Sequence, residues 1–305
     1  MNKRLQGTLI LALAALVWGI SFVSQSASME HIEPNTFNGI RTLLGCVSLL
    51  PVIFVINMSK KKNGTYTPMT KSDKKNLIVG GIACGIFLCI ASTIQTYGLK
   101  YTTSGKSGFI TALYMIFVPV VSVFLGKKIR PVVGISILIA LVGMYFLCIK
   151  QGNMEINKGD ILTLICSFVF TFHILTIDRF SAKVDGVYLS CMQFLVGGTL
   201  NTIAMFIFEN PQIDLILKCT VPILYSGLMS CGVAYTFQII GQKYAEPTVA
   251  SLVMSLESVF AALAGWVLLK EGMDGREIMG CILMFTAITL VQLPEKTFSF
   301  QKKGE

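Results

Sequence analysis

The sequence predicts an all-α polytopic membrane protein, with ten transmembrane helices arranged as two inverted five-helix repeats. Three observations carry that prediction. Of 305 residues, 53% are hydrophobic and only 13% charged, where a soluble domain carries roughly 25% charged residues. So little charge cannot cover a globular surface of this size. The apolar residues fall into ten runs of membrane-spanning length. Finally, the pattern QxxGxKY occurs at 95–101 and again at 238–244, an offset of 143 residues.

The runs are 7–27, 36–56, 76–96, 105–125 and 132–149, then 161–177, 187–208, 221–241, 248–269 and 278–293. A helix needs about 17–25 apolar residues to cross the hydrocarbon core, so the sixth and tenth runs borrow from their flanks. Helices are expected because backbone groups in lipid must be bonded within the segment. The short alternating segments of a membrane β-barrel are not visible. The first run follows Lys3 and Arg4 and ends near Ser26, Ala27 and Ser28, a layout shared with cleaved signal peptides. Its length, and its match to a span of the second half, favour a retained helix.

Counting Lys and Arg by loop assigns seventeen to one side and seven to the other, with Arg41 inside a span. Basic loops stay in the cytoplasm, so both termini are expected there, in a multi-pass protein of the cell membrane. The net charge of +9 is then topology charge in short loops rather than a nucleic-acid footprint. The longest loop, 57–75, is polar and carries six lysines, with no room for a catalytic domain. Nine cysteines, an odd number with no CxxC pair, sit mostly in apolar runs as small hydrophobes. Neither a disulfide framework nor a metal site is expected.

At the 143-residue offset Leu113 falls on Leu256, Phe117 on Phe260 and Lys127 on Lys270. The chain therefore divides into repeats 1–150 and 151–305 with five spans each. Five is odd, so the second half must enter the membrane upside down. Inverted repeats of this kind mark secondary transporters, whose site lies near the midplane between the halves.

Three ionisable residues fall inside spans: Arg41, His173 and Glu257. A charge at the bilayer centre costs at least about 2.5–3.5 kcal/mol, so such residues usually face the bundle interior. Glu257, near the middle of its span, reads either as a partner for a substrate ammonium or proton, or as a neutral carboxyl tying two helices together. His173 reads as a site residue or as an interhelical hydrogen bond. Arg41 sits about one and a half turns from a span end, and reads as a gate or anion contact, or as a cation reaching the interface. Trp18, Ser21 and Gln25 share a helix face. Gln95 and Gln238 are matched by the repeat, and Tyr235 stands three residues before the latter. These residues are candidates to line a path for a small molecule. Gly81 and Gly85 are small residues of the kind that pack helices and need no ligand.

The sequence also resembles a known family. LVWGISF at 16–22, Arg41 early in the second span, and SLESVFAALAGWVLLKE at 255–271 are similar to the EamA family of the drug/metabolite transporter superfamily, over nearly the whole chain. The resemblance implies a ten-helix, two-repeat carrier for small metabolites, often an exporter of amino acids or related amphipathic solutes. Two departures stand out. Phe170 occupies the place where the family's second tryptophan often falls, and Tyr114-Met115 stands in place of a carboxylate and proline.

No P-loop, GxSxG or HExxH is present, so ATP-driven transport by this chain is excluded and net pumping would draw on a proton or solute gradient. A receptor or sensor would need a soluble signalling domain. An intramembrane enzyme would need acid and base groups paired at one depth. The expectation is a non-enzymatic secondary carrier without a cofactor, its partners the lipid bilayer and a small-molecule substrate.

Overall fold

The computed structural model describes residues 3–148, 156–268 and 274–292. Expected span ends at Ile149, Leu269 and Leu293 lie outside the described residues. So do Lys150, Lys270, Lys296, Lys302 and Lys303 of the side count.

The first half runs α1 (Lys3–Met29), α2 (Pro34–Lys62), α3 (Lys71–Leu99), the pair α4 (Ser104–Thr111) and α5 (Tyr114–Phe124), and α6 (Pro131–Cys148). The second half runs α7 (Lys158–Ser181) and α8 (Gly186–Phe208). The short α9 (Ile213–Lys218) and α10 (Thr220–Leu224) follow, then a π-helical stretch, Tyr225–Tyr235, and α11 (Thr236–Gln242). The pair α12 (Pro247–Met254) and α13 (Glu257–Leu268) and then α14 (Gly275–Gln292) complete it. Among the described residues nine spans are long and apolar enough to cross a membrane, counting α4–α5, α10–α11 and the start of the α12–α13 pair as single spans, and α6 is a shorter apolar helix that makes the tenth.

Local chemistry sets the helix starts. Thr70 caps α3 and Asn157 caps α7, each bonding reciprocally with an aspartate three residues on, Asp73 and Asp160; such boxes satisfy amide hydrogens that a helix start leaves open. Pro34 and Pro247 open α2 and α12, where the missing N–H costs nothing. Large apolar side chains such as Phe54, Leu138, Ile203 and Phe206 stay exposed on the outside. In water that surface would aggregate, whereas lipid is its natural solvent.

The halves are inverted. Ion pairs and close contacts join the start of α1, the ends of α2, α5 and α7 and the starts of α6 and α8 at one end, called here the basic end. Lys60 meets Asp185 and Lys127 meets Asp178 there. At the opposite end Lys100 meets Glu33 and Lys106 meets Asp160. The first helix of one half thus starts where the first helix of the other half finishes.

Glycine contacts fix the register of the repeat at backbone level. A Cβ on Gly98 would stand 2.7 Å from Thr163 Oγ1 and 3.0 Å from the Gly159 carbonyl; one on Gly241 would stand 2.7 Å from Leu11 Cγ and 3.1 Å from the Gly7 carbonyl. Gly98 and Gly241 are the glycines of the two QxxGxKY motifs, 143 residues apart, while Gly7/Gly159 and Leu11/Thr163 are 152 apart. The same crossing therefore occurs twice, once at each end of the bundle. Gly85 likewise sits against α8, where a Cβ would come 2.8 Å from the Gln193 carbonyl.

Two features depart from the expected continuous spans. The fourth span breaks between α4 and α5, and the ninth between α12 and α13, at Ala112-Leu113 and Ser255-Leu256. These positions are again 143 apart. Both breaks tighten into one three-residue turn, with Met115 N donating to Ala112 O at 3.0 Å and Ser258 N to Ser255 O at 3.2 Å. The eighth span instead widens into its π-helical stretch, a form found most often near functional sites.

Candidate functional site

The broken helices meet at the centre of the bundle. Tyr114 opens α5 and Glu257 opens α13, and the Tyr114 hydroxyl donates to Glu257 Oε1 at 3.0 Å in a fully buried bond. Repeat-related side chains at repeat-related breaks thus bond to each other. Beside them lies a cavity of about 40 Å³, room for about three or four waters at roughly 10–15 Å³ each.

The lining follows the repeat. Trp18 and Phe170, Phe22 and Ile174, Gln95 and Gln238, Thr111 and Met254, and Tyr114 and Glu257 all border the cavity. The first two pairs are 152 residues apart and the other three 143, so the space lies on the pseudo-twofold axis. Gln25, Arg41, Ser230 and Tyr235 complete it without a repeat-related partner in the lining. The π-helical stretch turns both Ser230 and Tyr235 inward, five residues apart, as its wider spiral allows.

Arg41 is buried, 3% exposed, and does not reach the interface. Its Nε donates to Asn38 Oδ1 at 2.8 Å, Asn38 in turn donates to Thr96, and the guanidinium stands 5.0 Å from the Phe37 ring centre. Among the described residues neither Arg41 nor Glu257 belongs to an ion pair. A guanidinium and a carboxyl group therefore border the same space with no ion pair between them. Trp18 Nε1, Gln25 Oε1 and Gln238 Oε1 are buried without a protein hydrogen-bond partner. Such atoms cost about 1–3 kcal/mol each when left unpaired in a dry site, and a polar ligand in the cavity would satisfy them. Gln95 Nε2 instead donates to Thr111 Oγ1 at 3.1 Å. The Trp18 and Tyr235 rings meet edge to face, 4.8 Å between centres.

Of the nine sequence candidates, Trp18, Gln25, Arg41, Gln95, Tyr235, Gln238 and Glu257 come together around this cavity, and Ser21 and His173 do not. Ser21 is fully buried outside the lining. His173 lies one layer behind it, its Nε2 3.0 Å from Gln193 Oε1 and its ring 6.0 Å from that of Tyr235. The pairing has a repeat logic, because Gln193 and His173 occupy the places of Arg41 and Ser21 in the first half. Phe22, Thr111, Tyr114, Phe170, Ile174, Ser230 and Met254 also line the cavity and are not among the sequence candidates. For Tyr114 a signal existed: the 143-residue offset places it on Glu257.

Taken together, inverted halves, broken central helices and a central cavity edged by polar side chains define a multi-pass membrane transporter fold. Comparison with known proteins names the group. The model of the EamA-like transporter family matches residues 5–149 and 157–293, and the chain belongs to that family. An uncharacterized transporter of Archaeoglobus fulgidus is 30% identical over 294 residues, covering 95% of this chain and 87% of that one. The uncharacterized transporter YoaV of Bacillus subtilis is 25% identical, covering 94% and 95%. A crystal structure with 18% identity superposes with a TM-score of 0.74 over 96% of this chain and 99% of the other, which is a likeness of fold.

Proposed function

We propose that the chain is a secondary carrier that exports small amphipathic metabolites such as amino acids, by alternating access between repeats 1–150 and 151–305. The cell membrane holds it with both termini in the cytoplasm, so the basic end faces inward. The reading rests above all on Arg41 and Glu257 bordering one cavity without an ion pair between them. A zwitterion offers the complementary pair: its carboxylate suits the planar guanidinium, its ammonium suits the Glu257 carboxylate, and its side chain suits Trp18, Phe22 and Tyr235. At about 40 Å³ the cavity is far below the roughly 300–1,000 Å³ of small-molecule sites, so loading requires the helices to part. Purified protein in liposomes preloaded with unlabelled amphipathic amino acids should take up labelled amino acid by saturable counterflow. No counterflow with any of the amino acids would overturn the substrate class.

Two further outcomes follow. Gln95→Leu and Gln238→Leu should each lower flux about tenfold, because a substrate polar group loses its partner in a dry cavity. Unchanged expression with normal flux in both would make the two amides packing residues. For topology, a membrane-impermeant thiol reagent should label a cysteine at His31 from outside, and one at Thr65 only after permeabilisation. Both positions are exposed, whereas Ile32, Pro34 and Asn35 beside His31 are buried and poor reporters. Labelling from the same side would refute the orientation.

A further inference from the structure

The two ends of the bundle share one backbone plan but not one chemistry. At the end opposite the basic loops, Asp160 in the first turn of α7 is 5% exposed. It accepts from Lys106 Nζ at 2.6 Å and from Thr102 Oγ1 at 2.7 Å, so the second half is tied to the α3–α4 turn beside the Gly98–Gly159 crossing. The repeat places Thr8, Val249 and Ala245 at the same three positions of the basic end. Thr8 there bonds only within its own helix, to the Arg4 carbonyl at 3.0 Å.

The α2–α8 contact repeats the difference. Glu209 accepts from Asn35 N and Thr36 N at 2.8 and 2.7 Å and from their side chains at 2.7 and 2.8 Å, sealing the start of α2. Its counterpart 152 residues earlier is Asn57, which receives one neutral bond, from Tyr188 at 2.8 Å. Among the described residues, ion pairs do exist at the basic end, Lys60–Asp185 and Lys127–Asp178, and Arg4 and Arg130 there donate to the Val291 carbonyl at 3.0 and 3.3 Å, but no buried carboxylate ties the halves together. The side chains of the ion pairs are 43% and 37% exposed in the first and 47% and 25% in the second, and such exposed pairs contribute little. A recess of about 590 Å³ opens at the basic end, beside Lys243, Tyr244 and Ala245 of the α11–α12 turn.

We infer that Asp160, with Lys106 and Thr102, is a one-sided latch that holds the opposite end shut, so that the carrier parts more readily at its basic end. Charge-assisted bonds are about twice as strong as neutral ones. An inverted repeat whose two closures differ by them cannot populate its two states equally. On the export reading above, the latch makes the empty carrier wait for its load from the cytoplasmic side and open outward only when binding offsets the broken bonds. Lys106 and Thr102 are positioning residues, and they do not line the cavity.

The test measures distances in the full chain, in a cysteine-free background. One pair of spin labels at Gly105 and Ile156 spans the latch, and a second pair at Leu5 and Glu246 spans the basic end. Gly105 has open space around its Cβ, and the other three positions are exposed. Lys106→Met and Thr102→Val leave the Asn157–Asp160 capping box intact, and each should raise the long-distance population across the latch about fivefold. The basic-end pair should shorten in step, and Lys106→Arg should behave as wild type. An unchanged distribution in both variants would overturn the latch. Lengthening at the latch with no response at the basic end would refute alternating access, and with it the carrier reading, while leaving the bond itself established.

Discussion

Glu257→Gln is expected to lower transport about fiftyfold with little change in yield or folding. The glutamine carbonyl still accepts from Tyr114, so the seam between α5 and α13 keeps its bond, and the lost element is the carboxylate's capacity for charge. A hydrogen bond or ion pair to a charged group in a buried site contributes about 1.5–3 kcal/mol, which is about ten- to more than a hundredfold in rate or affinity. Two transport modes separate the roles. If Glu257 carries a coupling proton, the variant loses accumulation driven by a pH gradient but retains exchange of substrate for substrate. If it holds a substrate ammonium, both modes fail together at every pH. Wild-type rates in both modes would remove Glu257 from the site and leave it as a tie between two helices. Proteoliposome assays at two pH values decide the matter.

The positions that the sequence revealed are those where the membrane or the repeat leaves no alternative. Lipid demands long apolar runs, so the spans were readable, and antiparallel inversion followed from an odd number of spans per repeat. The glycine of QxxGxKY marks a crossing where one helix backbone touches another, at Gly98 and again at Gly241, and no larger residue could preserve the pattern. Gln95, Gln238 and Glu257 stood out because polar groups are costly in hydrocarbon. The helix breaks did not stand out. Neither Ala112-Leu113 nor Ser255-Leu256 contains glycine or proline, so nothing local announces the interruption, and packing between the halves holds it. The π-helical widening at 225–235 is equally silent in the sequence. His173 takes the second of its two readings, the interhelical hydrogen bond. An ionisable group in a span looks functional, but a single buried partner, here Gln193, is enough to satisfy it, and that partner lies 20 residues away on another helix. Tyr114 drew notice only as a departure from the family pattern, and the 143-residue offset to Glu257 is what marks it as a site residue.

Gly19 should be among the least replaceable residues outside the cavity. It follows Trp18 on α1, where that helix crosses α13, and a Cβ there would stand 2.7 Å from the Ala261 nitrogen, 2.7 Å from Phe260 Cβ and 2.8 Å from the Glu257 carbonyl. Two of those three atoms belong to backbone, so no rotamer change relieves the overlap; the helices must separate. Separation would move Trp18 away from Glu257 and open the three-residue turn that holds the ninth span's break. Gly19→Ala should therefore cut flux and lower the melting temperature, and Gly19→Leu should do more, since overpacking a tight crossing costs typically 1–3 kcal/mol and sometimes more. Gly134 supplies the control. It lies on the exposed face of α6 with nothing within 4 Å of its Cβ position, so Gly134→Leu should retain both flux and melting temperature. Measured side by side in detergent and in liposomes, equal behaviour of Gly19→Leu and Gly134→Leu would show that the α1–α13 crossing does not position the site. A loss confined to Gly19, graded from alanine to leucine, ties the geometry of the cavity to the absence of one methyl group.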